Sequence, residues 1–258
     1  GPGTNAYIIG HKKLAIIDPG PSIDSHVRAL LDSTEGAELA WVVVTHTHPD
    51  HSPAAKILAQ STGAKLVGAV IEDDGHQDTS FSPDITLEDG FCLKTDEFCL
   101  RAIHTPGHVS NHYCFMLEEE KTVFTGDHIM QGTTVVVIPP SGDMSDYLNS
   151  LEKLKVDKPE RLAPAHGHVM TAADAAIQAL IDHRMKREAK VINGMQALGE
   201  ASLEALLKVV YDDVDPAVLE VAKIALWSHL LKLEKEGRAS KHSQEHWILD
   251  EELWQLIE

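Results

Sequence analysis

Short apolar runs alternate with polar turns over the first 170 residues, which predicts interleaved strands and helices. The predicted strands are residues 6–9, 14–17, 41–44, 65–70, two within 91–125, 133–138 and 161–163. The predicted helices are residues 22–33, 53–62 and 143–155. Ser52 and Pro53 resemble a helix cap followed by proline in the first turn. The pattern therefore predicts an α/β domain with mixed sheets.

The chain changes character after residue 170. Long helical patterns cover residues 172–197, 203–211 and 216–236, and a turn at 237–239 leads into a tail that ends in Trp247-Ile248-Leu249. Two helices followed by a hairpin-like tail are typical of a winged-helix module. We therefore divide the chain into a main domain (1–170), a connecting helix (171–199) and a winged-helix-like domain (200–258).

Composition narrows the function classes. Hydrophobic residues make up 43% of the chain, yet no apolar run approaches the roughly 20 residues of a membrane helix, so we expect no membrane span. Three cysteines without a close pair indicate free thiols and predict a cytoplasmic protein. The net charge of -18 opposes long-range capture of nucleic acid.

The C-terminal domain is acidic as well. Residues 196–258 contain 6 Lys and Arg against 13 Asp and Glu, whereas a DNA-reading helix usually lies in a basic patch. We therefore expect no double-stranded DNA partner. Packing, shaping of the site or formation of a homodimer is the role we expect for this domain.

A dense group of metal-ligand residues follows the buried 41–44 strand. His46, His48, Asp50 and His51 occupy four of six consecutive positions. Alternate side chains of an extended chain point the same way, so His46 and His48 present two imidazoles to one point. Imidazole and carboxylate ligands suit zinc, and also manganese or iron.

Three later segments offer further ligands, each at the end of a predicted strand. They are Pro106-Gly107-His108, Gly126-Asp127 and Pro164-Ala165-His166. A strand end is a rigid place from which to aim a ligand.

In this order, H-x-H-x-D-H, P-G-H, G-D and a late histidine resemble the signature of the metallo-β-lactamase superfamily over residues 5–170. The resemblance implies a four-layer αββα sandwich with two metal ions, expected to be zinc, at one edge. It assigns His46, His48 and His108 to the first ion, and Asp50, His51 and His166 to the second. Asp127 would bridge both ions.

Within the superfamily the chain is most similar to the β-lactamase-like protein 2 subgroup, which includes a mitochondrial endoribonuclease for single-stranded RNA. The similarity includes Gly3-Thr4-Asn5, residues 146–151 and residues 229–237. True β-lactamases usually have Cys or Ser at the position of Asp127, so we expect at most weak activity of that kind.

The resemblance implies a hydrolase that uses a metal-bridging hydroxide, with Asp50 as proton acceptor and Asp127 joining the ions. The substrate could be a small ester, thioester or lactone, or a phosphodiester such as single-stranded RNA. An iron-dependent redox protein or a metal-binding regulatory module is a weaker alternative, because all seven ligand positions are filled.

Three other histidines are candidate substrate contacts. His128 follows Asp127, His168 lies two residues after His166, and His183 lies on the long 172–197 helix. A supporting or surface position is the more ordinary role for His128 and His168. A helix-surface position is an equal alternative for His183.

Overall fold

The computed structural model describes residues 3–242 and 252–257. Two five-stranded sheets stack face to face and helices cover both outer surfaces. The strands of these sheets are β1 Tyr7–Ile9, β2 Lys13–Ile17, β3 Glu38–Val43, β4 Lys65–Gly68, β5 Ile85–Thr86, β6 Cys92–Lys94, β7 Cys99–His104, β8 Tyr113–Leu117, β9 Thr122–Gly126 and β10 Arg161–Pro164. The helices are α1 Asp24–Ser33, α2 Ala54–Thr62, α3 Met144–Val156, α4 Ala173–Leu198, α5 Leu203–Val210 and α6 Leu219–Lys235.

Both large sheets are mixed. The first has the order β1-β2-β3-β4-β5, and only its β1–β2 pair is antiparallel among the described strands. The second has the order β10-β9-β8-β7-β6, with β10 parallel to β9 and its other pairs antiparallel. The strands predicted at residues 6–9 and 14–17 thus form the antiparallel β1–β2 pair.

Alternation along the strands builds the four layers. In β2, Ala15 and Ile17 face the core between the two sheets, whereas Leu14 and Ile16 face helices α1 and α2. The outer face of the second sheet packs against α3 and α4. The architecture is therefore the expected αββα sandwich.

A smaller three-stranded sheet belongs to the C-terminal part. Its order is β11-β13-β12, with β11 Ala201–Ser202, β12 Ala239–His242 and β13 Leu253–Leu256. The end of α4 shares an apolar core with α5 and α6. The predicted tail at Trp247-Ile248-Leu249 lies outside the described residues.

Two local predictions are wrong. Residues 133–138 form no strand, because the Val135 and Val136 carbonyls accept hydrogen bonds from Arg184 and His108 instead of a neighbouring strand. Ser52 does not cap α2, since its hydroxyl donates to Asp78 Oδ2 at 2.7 Å. In the described chain, no helix is both long and apolar enough to cross a bilayer.

Candidate metal centre

The candidate ligands lie on loops that leave the sheets at one edge. The parallel strands β2 and β3 end just before Asp18 and Thr45, and the His46–His51 loop follows directly. In the second sheet, His108, Asp127 and His166 follow the ends of β7, β9 and β10. The pairing of strands within each sheet thus brings ligand loops that are distant in sequence to the same edge of the sandwich.

Three imidazoles form the first group. His48 Nδ1 lies 2.9 Å from His46 Nε2 and 3.0 Å from His108 Nε2. Burial lowers the pKa of all three side chains, and that of His48 falls to about 4. They are therefore neutral at pH 7, which is the form that binds a cation.

The second group combines two carboxylates with two imidazoles. Asp50 lies 3.5 Å from His51 Nε2 and 3.2 Å from His166 Nε2. Asp127 Oδ1 lies 3.5 Å and 3.3 Å from the same two nitrogens. Its other oxygen, Oδ2, is 3.9 Å from His108 Nε2, so Asp127 stands between the two groups.

The carboxylates of the second group are ionised at neutral pH. Burial opposes the charge of Asp50, but His166 and His51 bring its pKa to about 2. Burial likewise opposes the charge of Asp127, and the same two imidazoles hold its pKa far below the ordinary range. This part of the edge is thus a pair of anions facing imidazole nitrogens.

The donor set fits metal ions. Tetrahedral zinc sites with bonds of about 2.0–2.1 Å place neighbouring ligand atoms about 3.3 Å apart. His51 Nε2 and Asp127 Oδ1 are buried without a hydrogen-bond partner among the described residues, which is costly unless another group satisfies them. Three overlapping triads have ligand atoms within 4.8 Å of one another: His46-His48-His108, His46-His51-Asp127 and Asp50-His51-His166.

Hydrogen bonds on the far side orient the imidazoles. Asp18 Oδ2 lies 3.0 Å from His51 Nδ1 and accepts the Thr45 hydroxyl at 2.8 Å, and that hydroxyl lies 3.0 Å from His46 Nδ1. The carbonyls of Val136 and Gly3 lie 2.7 Å and 2.9 Å from Nδ1 of His108 and His166. Such partners fix ring orientation in metal sites.

Asp18 is the supporting residue that sequence reasoning missed. It is 2% exposed and follows β2, directly beside Thr45 in the parallel pair. Asp18-Pro19-Gly20 reads as a turn in the sequence. The one available signal was its position at a strand end of the same edge.

A cavity of about 400 Å³ opens in front of the cluster. His48, Asp50 and His108 of the two ligand groups line it. The other lining residues are Pro49, Asp74, Gly75, His76, Val109, Ile138, Pro139, Pro140 and Ser141.

The three additional histidines lie elsewhere. His128 is completely buried between the rings of His112 and Tyr147, which agrees with the supporting position that is its more ordinary role. His168 is exposed and does not line the cavity described above. His183 lines a different cavity, between α4 and the C-terminal domain, so neither residue is placed at the candidate centre.

A profile of the metallo-β-lactamase superfamily matches residues 1–166. The chain belongs to this superfamily. It is therefore a hydrolase of the superfamily, whose members bind metals. A profile of the β-lactamase-associated winged helix domain matches residues 202–247.

Individual relatives cover nearly the whole chain. A Drosophila melanogaster protein named β-lactamase-like protein 2 homolog is 31% identical over 96% of this chain and 88% of its own length. An Emericella nidulans protein named atrochrysone carboxyl ACP thioesterase is 30% identical over 93% and 77%. A crystal structure of a β-lactamase domain protein from Burkholderia ambifaria shares the fold, with a TM-score of 0.81, 18% identity and coverage of 98% and 87%.

Proposed function

We propose that the protein is a two-zinc hydrolase that cleaves a neutral thioester or ester of a small apolar acyl group. The observation that carries this proposal is the lining of the cavity in front of the ligand cluster. Val109, Ile138, Pro139 and Pro140 offer apolar surface, and none of the lining residues in the described chain is Lys or Arg.

The charge of the cavity disfavours a polyanionic substrate. Asp74 lines it with a pKa of about 2 and is anionic at neutral pH, and it belongs to neither ligand group, whereas the ions would offset the charge of Asp50. A phosphate backbone is usually bound by Arg and Lys. An uncharged acyl group meets no electrostatic repulsion in this cavity.

The ligand groups suggest the place of each ion. His46, His48 and His108 would hold the first, Asp50, His51 and His166 the second, and Asp127 would contact both. Bound there, the two ions would lower the pKa of a shared water towards about 7 and polarise the substrate carbonyl.

Asp50 is the residue we expect to move the proton. Its carboxylate lines the cavity, and Thr4 Oγ1 donates to its Oδ2 at 3.1 Å. With a side chain 49% exposed, Asp50 can reach a water molecule in the cavity and accept its proton as the new bond forms.

Similarity supports the acyl substrate. The relative named as an acyl carrier protein thioesterase aligns along 93% of this chain. Single-stranded RNA, implied by the resemblance to the β-lactamase-like protein 2 subgroup, is the second candidate, and the Drosophila relative aligns along 96%. Lactones and phosphodiesters other than RNA are further candidate substrates and are included in the test below.

The test is a substrate panel on protein loaded separately with zinc, manganese or iron. It includes a butyryl thioester, a lactone, a cephalosporin, bis-p-nitrophenyl phosphate and a single-stranded RNA oligomer. We expect the zinc protein to hydrolyse the thioester with the highest kcat/KM. RNA cleavage without thioester cleavage would overturn the proposal.

Asp127→Ala tests the metal assignment directly. We expect it to abolish hydrolysis and to reduce the metal content below two ions per chain, because both ligand groups lose a shared carboxylate. Exposed Asp96→Ala is the matched control. Full activity in the Asp127 variant would contradict the assignment.

A further inference from the structure

Two loops meet over the cavity through side chains. The Ser141 hydroxyl donates a hydrogen bond to Asp74 Oδ2, and both residues line the cavity that contains His48 and His108. Asp74 lies in the long loop between β4 and β5, and Ser141 lies just before α3. We call this contact the clasp.

The Asp74 side of the clasp is tied to the first ligand loop. Asp74 Oδ1 accepts hydrogen bonds from the His76 amide at 3.0 Å and from Gln77 Nε2 at 2.9 Å. Gln77 Oε1 accepts the Thr47 hydroxyl at 2.6 Å. Thr47 stands between the ligands His46 and His48, so this half of the clasp is positioned from the base of the site.

The Ser141 side is tied to the loop of His108. The Asp143 amide donates to the Gly107 carbonyl at 2.9 Å, and the Gly142 amide donates to the Ile138 carbonyl at 2.7 Å. A side chain at Gly142 would lie 2.9 Å from the His108 carbonyl, so the two segments are in close contact. Each half of the clasp thus rests on a different ligand loop.

The clasp also places a fixed charge at the cavity. Hydrogen bonds from Ser141, Gln77 and His76 outweigh the effect of burial and bring the Asp74 pKa to about 2. The same cavity is lined by the apolar side chains of Val109, Ile138 and Pro139. The apolar lining therefore favours an apolar group, and the Asp74 carboxylate opposes an anion.

We propose that the Asp74–Ser141 clasp determines specificity by limiting the acyl group to a compact, uncharged one. This inference rests on the proposed acyl hydrolase function. Ser141 closes the cavity and sets length, whereas the Asp74 carboxylate sets charge. The two residues should consequently affect different substrates.

Two variants separate the contributions. Ser141→Ala removes the hydrogen bond and keeps the charge. In Asp74→Asn the amide oxygen still accepts from His76 and Gln77, while its NH₂ group can donate to the Ser141 oxygen, so the contact survives without the charge. Glu72→Gln is the matched control, because it removes a charge from the same loop outside the cavity lining.

The assay uses the zinc-loaded protein and four N-acetylcysteamine thioesters: acetyl, butyryl, octanoyl and succinyl. The wild type should prefer butyryl over octanoyl and succinyl. In Ser141→Ala the butyryl-to-octanoyl ratio of kcat/KM should fall about tenfold towards 1, mainly because the KM for the octanoyl thioester falls. In Asp74→Asn the butyryl-to-succinyl ratio of kcat/KM should fall about fivefold towards 1 at low salt, and by a smaller factor at high salt.

A second measurement does not depend on turnover. Hydrogen–deuterium exchange of residues 74–77 and 138–142 should be about tenfold faster in Ser141→Ala, because the clasp no longer holds the two loops together. Asp74→Asn should change these rates less, and Glu72→Gln should leave them as in the wild type.

Different failures have different meanings. A wild type that cleaves the thioesters but keeps the same ratios in both clasp variants overturns the clasp alone. So does a variant that slows all four substrates by one factor, or unchanged exchange in Ser141→Ala. A metal-loaded wild type that cleaves none of the four thioesters overturns the proposed function and, with it, the specificity role.

Discussion

The Asp18 carboxylate supports two parts of the candidate centre at once. It lies 3.0 Å from His51 Nδ1, and it accepts both the Thr45 amide and the Thr45 hydroxyl at 2.8 Å. Asp18 has a positive φ of 48°, which Asn tolerates well. Its charge can therefore be removed without a change of backbone shape.

We predict that Asp18→Asn lowers zinc affinity and kcat/KM by about 10–100-fold, because His51 loses the carboxylate that orients it. Metal titration and steady-state kinetics measure the two effects. Asp24→Asn, on the exposed first turn of α1, should change neither. Unaltered zinc affinity in Asp18→Asn would refute the orienting role.

Gly107 permits a close approach that places His108. Its φ is 144°, and a Cβ there would lie 2.4 Å from the Tyr147 Cα in α3. The loop from β7 can therefore pass directly over the beginning of that helix. Any side chain at this position would push the loop, and the following ligand, away from α3.

We predict that Gly107→Ala destabilises the protein by about 3 kcal/mol and weakens zinc binding, since steric overlap adds to backbone strain. Gly90→Ala is the control, with φ of 82° and no heavy atom within 4 Å of the added Cβ. It should cost only about 1 kcal/mol. Urea unfolding decides, and equal losses in the two variants would contradict the packing argument.

At the scale of elements, the ligand loops were predictable because each ligand follows an apolar strand. His108, Asp127 and His166 all stand at strand ends in the sequence pattern, and the sheets bring those ends together. Asp18 also follows an apolar strand, but the sequence does not say which loop that strand end lies beside. Only the parallel pairing of β2 with β3 places it next to Thr45.

The strand predicted at residues 133–138 is an example of a prediction that failed. Its apolar residues have the composition of a strand, but two of its carbonyls bind side chains. Arg184 lies on α4, 49 residues after Val135 in sequence, and its Nη2 donates a hydrogen bond to the Val135 carbonyl at 2.5 Å. The Val136 carbonyl accepts a hydrogen bond from His108. Local periodicity contains no information about such distant donors. The clasp between residues 74 and 141 escaped prediction for the same reason.

Helix α4 meets the C-terminal helices through a buried carboxylate. Glu188 is 2% exposed and lies 2.7 Å from Lys232 Nζ, 3.0 Å from Arg238 Nη1 and 3.8 Å from His229 Nδ1. Burial opposes its charge, but His229 and Lys232 bring the pKa of Glu188 to about 2. The pKa is thus lower than in the unfolded chain.

We predict that Glu188→Gln lowers the free energy of unfolding by about 3 kcal/mol at pH 7, because the buried Lys232 ammonium loses its buried anionic partner. A depressed carboxyl pKa stabilises the fold above the unfolded value of 4.5 and loses this effect as the pH falls towards about 2. The difference between wild type and variant should therefore shrink over that range. Denaturation at pH 7 and pH 3 measures it, with exposed Glu200→Gln as control. A difference that does not vary with pH would contradict the ion-pair argument.

At the scale of the whole molecule, the net charge of the chain and the carboxylates of the cavity are both negative, which is unfavourable for a nucleic-acid ligand. The chain has 40 acidic and 22 basic residues, and the cavity in front of the ligand cluster has two carboxylates in its lining. Counterion release strengthens nucleic-acid binding when cationic groups neutralise phosphates, and it disappears as salt rises. We therefore expect a protein of -18 net charge to repel the polyanion at long range.

The sign of the salt dependence follows from this repulsion. We predict that a fluorescent single-stranded RNA 10-mer binds with a Kd above about 100 µM at low salt, and that binding does not weaken between 20 mM and 200 mM salt. Fluorescence anisotropy measures binding, while kcat/KM for the neutral butyryl thioester should stay within about twofold over the same range. RNA affinity that falls steeply with salt would reveal a local basic groove strong enough to overcome the overall charge. Such a result would favour the ribonuclease candidate, because only phosphate contacts produce that slope.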